Sequence, residues 1–167
     1  MAMTEELTNP AALKGEELLL ACRKDPRTYR RLNAIPRPEA EARMVQLVTK
    51  AMLYRGQHAA DDVVSYVATS LMDELAQNEY GVWSLSFEEV EWVFRTSVLH
   101  KPDFYISVSS LYTVLVDYAK GLGNQLQRKV NKEKQDAERK ALRDSAVGVM
   151  LAAYSQEMNN NSKPSTK

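Results

Sequence analysis

Apolar side chains recur at intervals of three and four along most of this chain, and that period places them on one face of successive α-helices. The first predicted helix runs from about Pro10 to Arg23. It is entered through Asn9, whose side chain can cap free N–H groups ahead of a proline at the first helical position. Asp25-Pro26 breaks it, a short helical piece follows through Tyr29 and Leu32, and Ile35-Pro36-Arg37-Pro38 forces an extended or turned hinge. Met44, Val45, Leu47, Val48, Ala51 and Met52 then define a deeply packed helix from Pro38 to Gly56. A third opens between His58 and Asp61 with acids in its first turn, repeats apolar groups at Val63, Val64, Val67, Leu71, Met72 and Leu75, and stops at Asn78–Gly81.

Ser86 followed by Glu89 fits a capping box, with Phe87, Val90, Val93, Phe94 and Val98 as the buried stripe of the helix it starts. Lys101-Pro102-Asp103 ends that helix, Phe104–Val108 reads as an extended connector, and Ser107 or Ser109 caps the next. The last helix carries Leu111, Leu115, Tyr118, Leu122, Leu126 and Val130 on one face. Gly121 and Gly123 weaken it, each by up to about 1 kcal/mol, and predict a bend. Between Asn131 and Lys140 the only apolar residue is Ala137, so this length projects into solvent. The polar run from Asn159 has nothing to pack and reads as disordered. The expected fold is therefore all-α: a single-domain bundle of about five helices over residues 1–130, a helical extension over 131–158, and a tail over 159–167.

Composition agrees with that class. Six Gly and six Pro in 167 residues interrupt the helices rarely. A lone cysteine, Cys22, follows the apolar run Leu18–Ala21, allows no internal disulfide, and reads as a small buried hydrophobe. The acidic N-terminus and the absence of 18 consecutive apolar residues lead to an expected cytoplasmic protein with no membrane segment. Net charge is zero but unevenly spread: residues 1–54 hold nine bases and seven acids, 55–118 three and ten, 119–167 ten and five. Segregation of this kind permits a basic surface and an acidic one on the same fold.

Catalytic patterns are weak. His58 and Asp62 lie four apart on a helix beside Asp61, but a metal site needs three or four convergent ligands and the only other histidine is His100. Acids at a helix start are explained by the macrodipole, and Glu88, Glu89 and Glu91 by the same argument after their capping serine. No Gly-x-Ser-x-Gly elbow and no phosphate loop is present. The reading is a non-enzymatic protein with no metal and no cofactor.

Binding patterns are stronger. Arg27, Arg30, Arg31 and Arg37 surround Tyr29, a combination suited to phosphate contact and base stacking, and Arg128, Lys129 and Lys132 open a second basic set. Residues 80–118 hold nine of the thirteen aromatic side chains in an acidic neighbourhood. A phosphate backbone is repelled there, so most of these rings read as core, and Trp83, Trp92, Tyr105 and Tyr112 as a surface for a protein partner. The Leu111–Val130 stripe exceeds what one small core needs, which raises self-association through the C-terminal helix as the alternative with no nucleic-acid role.

The run Leu85-Ser86-Phe87-Glu88-Glu89-Val90-Glu91-Trp92-Val93-Phe94, then Phe104, Ile106-Ser107 and Leu111-Tyr112-Thr113-Val114-Leu115-Val116-Asp117-Tyr118, resembles small uncharacterised helical proteins of phages and integrative mobile elements in gut anaerobes. That pattern has a Leu-Thr-x-Glu-Glu helix, a short loop and an aromatic helix ending in Tyr. Where it usually carries an aromatic-Leu pair, this chain has Leu115-Val116. The resemblance implies an accessory protein of DNA replication that contacts DNA and a protein of a replication complex. It supplies no catalytic residues.

Overall fold

The computed structural model describes residues 15–77 and 81–161, and the chain divides into two units between Gln127 and Arg128. All regular structure among the described residues is helical. The helix expected from Pro10 begins here at Glu16, and its proposed entry at Asn9 lies outside the described residues, as does the tail from 162. None of the described helices is long and apolar enough to cross a membrane.

In the first unit, α1 (Glu16–Lys24) buries Leu19, Cys22 and Arg23. It stops at Asp25, whose carboxylate accepts from the N–H groups of Arg27 and Thr28 at 3.1 and 3.2 Å. That Asx-type turn takes the donors a continuing helix would use. The helical piece expected through Tyr29 and Leu32 is accordingly reduced to one tight turn at Leu32–Ala34. Ahead of it the chain is extended: Arg31 bridges Ser86 in antiparallel fashion, and the Leu32 N–H donates to the Leu85 carbonyl at 2.8 Å.

Helix α2 (Arg37–Tyr54) has Pro38 in its first turn and buries Ala40, Met44, Val48, Ala51 and Met52 at the expected spacing. Gly56 follows with φ +67°, a conformation that favours glycine. Helix α3 (Asp61–Ala76) packs on α2 through Val64, Val67, Ala68, Leu71, Met72 and Leu75, while Val63 faces outward.

Helix α4 (Phe87–Val93) starts on the expected capping box: Ser86 Oγ accepts from the Glu89 N–H at 3.3 Å and Glu89 Oε2 accepts from the Ser86 N–H at 2.9 Å. It continues as a π-helix over Phe94–Leu99. The connector is extended as read, held by Gln57, whose side chain accepts from the Ile106 N–H at 2.6 Å and donates to its carbonyl at 3.3 Å. Ser107, not Ser109, then caps α5 (Val108–Tyr118), with Ser110 reciprocating.

At the two glycines the helix widens into a π-turn over Ala119–Gly123 before α6 (Asn124–Asn161). A π-turn accommodates an extra residue by lengthening the hydrogen-bond loop to five. Leu111, Leu115, Tyr118 and Leu126 from this rod join Leu71, Leu75, Phe87, Val90 and Val93 in one core. Most of the 111–130 stripe is thus consumed by the first unit's own packing.

The second unit, from Arg128, is the helical remainder of α6, and every described side chain in it other than Val130 is exposed.

Candidate functional site

The capping box places Glu89 where local sequence does not explain its surroundings. Its side chain is 0% exposed. Arg23 from α1 donates through Nε to Oε1 at 2.6 Å, and the Tyr118 hydroxyl from the end of α5 donates to the same oxygen at 2.9 Å. Arg31 donates through Nη1 to Oε2 at 3.4 Å and to the Ser84 carbonyl at 3.1 Å, and through Nη2 to the Arg23 carbonyl at 3.4 Å. Arg23 Nη1 also donates to Gln127 Oε1 at 3.4 Å.

Two guanidinium groups, one carboxylate and a phenol therefore share a nearly dry site. Burial, then the Glu89 charge and hydrogen bond, push the Tyr118 hydroxyl far above the usual phenol range, so it stays a donor. Burial lowers the Arg31 value against the pull of Glu89. Beside them burial pushes the Cys22 thiol up to about 11, which keeps it neutral.

Both Glu89 oxygens are committed to two donors each, and neither meets solvent. Arranged in this way the carboxylate acts as a clamp between α1, α4, α5 and the Arg31 segment rather than as a base facing a substrate. Gly123 completes the packing, because a Cβ there would lie 3.1 Å from Arg23 Nη2 and 3.1 Å from the Tyr118 carbonyl oxygen.

The N-terminal basic set is dispersed by such pairings. Arg30 meets Glu39 at 2.5 Å, and Arg37 meets Glu41 at 2.5 Å and Asp73 at 2.7 Å. Arg43, 4.3 Å over the Phe87 ring centre, sits 3.8 Å from Glu88. Tyr29 is 5% exposed, which removes the stacking role expected of it, and Arg31 is turned toward Glu89 instead of outward. Arg27 is exposed on the turn after α1. In the second unit Arg128, Lys129 and Lys132 are all exposed on α6.

The four aromatics expected to form a partner surface differ in exposure. Trp83 and Tyr112 are half-buried against the core, and Tyr105 is 70% exposed on the connector. Trp92 rests on Tyr118 with ring centres 5.8 Å apart at 48°, and lines an open groove of about 590 Å³ with His100, Lys101, Val114, Asp117 and Leu122. His58 and His100 are exposed, and among the described residues no three His, Cys, Asp or Glu side chains converge as metal ligands would.

A face the sequence reading passes over is the end of α6. Val147, Met150, Leu151, Tyr154 and Met158 are 53–72% exposed. The signal was present as apolar groups three and four apart, but the polar stretch before them directs attention elsewhere. Comparison with family models, with curated proteins and with solved structures yields no match. The site therefore defines a class only: an all-α protein with an internal ionic clamp and an exposed, partly apolar helix.

Proposed function

We propose that the protein is a helical pairing module, in which the 128–158 segment of α6 packs its apolar stripe against another helix. The observation that carries this reading is that seven large apolar side chains on that segment are each more than half exposed, five of them, Val147, Met150, Leu151, Tyr154 and Met158, recurring at helical spacing. Water-exposed apolar side chains repeated at helical spacing are the usual form of a helix-pairing seam. The resemblance of residues 85–118 sets the proposed context, an accessory role in mobile-element DNA replication within the cytoplasm.

The test is sedimentation of the fluorescently labelled full chain, in buffer and in an extract of producing cells, beside a variant carrying Val147→Glu, Leu151→Glu and Tyr154→Glu. The reading requires a heavier species for the parent that the variant loses. Parent and variant both sedimenting as monomers in both media refutes it.

A second reading, DNA contact, is favoured by a separate observation: seven bases and three acids lie between Arg128 and Arg143, on a fully exposed length of helix apart from Val130. Phosphate contact through Arg128, Lys129 and Lys132 gives binding to a fluorescent oligonucleotide that falls steeply between about 50 and 200 mM salt. Absence of binding at the low end refutes it.

A further inference from the structure

The pairing role proposed above leaves its partner open, and the order of side chains along the exposed end of α6 names one. Lys140, Arg143, Val147, Met150, Tyr154 and Glu157 follow one another at intervals of three, four, three, four and three. This is the alternation of a coiled-coil seam, and all six side chains are exposed. Read in the opposite direction, the seam is its own complement.

We infer that the partner is a second copy of this chain, with the two α6 segments antiparallel and Val147 of each copy facing Met150 of the other. That register pairs the remaining positions without further choice. Arg143 meets Tyr154 of the second copy, a guanidinium against an aromatic ring, and Lys140 meets Glu157, a cation against a carboxylate. By twofold symmetry each pairing occurs twice. The apolar layers occupy the centre and the charged ones the wet ends, the usual division of a helix interface.

Ala146 faces Ala153 across one side of the seam, so the backbones approach closely, and Leu151 flanks the other side. The overlap from 140 to 157 is about 27 Å long at 1.5 Å per residue. It needs no residue of the first unit.

The parallel, in-register alternative sets Lys140 on Lys140, Arg143 on Arg143 and Glu157 on Glu157, so like charges oppose at three of six layers. It also lays together the two stretches from Arg128 to Arg143, each with seven bases and three acids. The antiparallel pair carries those basic stretches to opposite ends.

The experiment uses the full chain with Lys140→Glu, Glu157→Lys, and the two exchanged together, studied by sedimentation over a concentration series at about 50 mM salt, where charge pairs are least screened. Circular dichroism checks that helix content is kept. The parent forms a dimer, each single reversal weakens it at least tenfold because both symmetric pairs become like-charged, and the exchange restores it within about threefold. A single reversal that strengthens the dimer, or one that leaves it unchanged, overturns the register. A parent that is monomeric in buffer yet heavier in cell extract overturns the second copy as partner while the pairing role stands. A monomer in both media removes the pairing role as well.

Discussion

Replacing Glu89 with Gln removes the charge at the centre of the clamp with little change of shape, and leaves one acceptor oxygen where the carboxylate has Oε1 for Arg23 and the Tyr118 hydroxyl and Oε2 for Arg31 and the Ser86 N–H. What disappears is the anion opposite Arg23, 2.6 Å away with both side chains under a tenth exposed, and opposite Arg31 at 3.4 Å. A buried cation left without its partner costs about 3–5 kcal/mol, and Arg31, being closer to solvent, adds little to that. A two-state unit loses about 2 M in its urea midpoint for such a change, at a slope of about 2 kcal/mol per M. Trp83 and Trp92 both belong to the first unit, so their fluorescence reports its unfolding without a signal from α6 beyond Gln127. The cycle is closed with Arg23→Gln and the double variant, which must cost clearly less than the two single changes added together. A loss below about 1 kcal/mol for Glu89→Gln, or strict additivity, refutes the clamp.

The other predictions concern single positions. Gly123→Ala destabilises by about 1–3 kcal/mol because its Cβ is crowded by a backbone oxygen and a buried guanidinium, whereas Gly121→Ala, with open space around it, is neutral or stabilising by up to about 1 kcal/mol; thermal melts of the two compared side by side decide. Ser86→Ala removes the acceptor of a capping bond and costs about 0.5–2 kcal/mol in the same assay. Cys22 and Tyr118 are both raised in the folded state, from reference values of 9.0 and 10.0. The folded protein then holds protons that the unfolded chain has released, so stability is full below pH 9 and falls as pH rises beyond it. The limiting slope is about 1.4 kcal/mol per pH unit per group. Urea midpoints measured from pH 8 upward in Tyr118→Phe must show a shallower decline than the parent.

Much of the fold was readable because its signals are local. The Ser86 and Glu89 capping box spans four residues, and the stripes of α2 and α3 repeat within a turn, so short windows contain the whole argument. Glu89's other role was not readable: its partners stand 66, 58 and 29 residues away, and nothing near it distinguishes a capping glutamate from a buried ionic centre. The same distance effect hides the partners of Arg31 and Arg37. The density of arginines around Tyr29 suggests an open basic surface, but Arg31 turns inward and Arg37 pairs with Glu41 and Asp73.

The two glycines predict a bend, and what stands there is a π-turn over Ala119–Gly123. The crowding around Gly123 arises in part from Arg23, a hundred residues earlier. The expected self-association rests on a stripe that the first unit largely buries. Leu111, Leu115 and Leu126 are buried in the first unit, and the exposed large apolar positions of α6 run from Leu142 to Met158. Binary pattern gives the face a helix hides, but whether a partner for that face exists in the same chain is settled only by tertiary packing.

Amide hydrogen exchange of the full chain over a range of protein concentrations addresses the pairing of α6 most directly, since it reads the 140–158 backbone separately from the core. Slowing of exchange in that segment with rising concentration, while α2 and α3 exchange unchanged, is the result expected of a seam that closes on a second copy. Equal, rapid exchange of 140–158 at every concentration would contradict it.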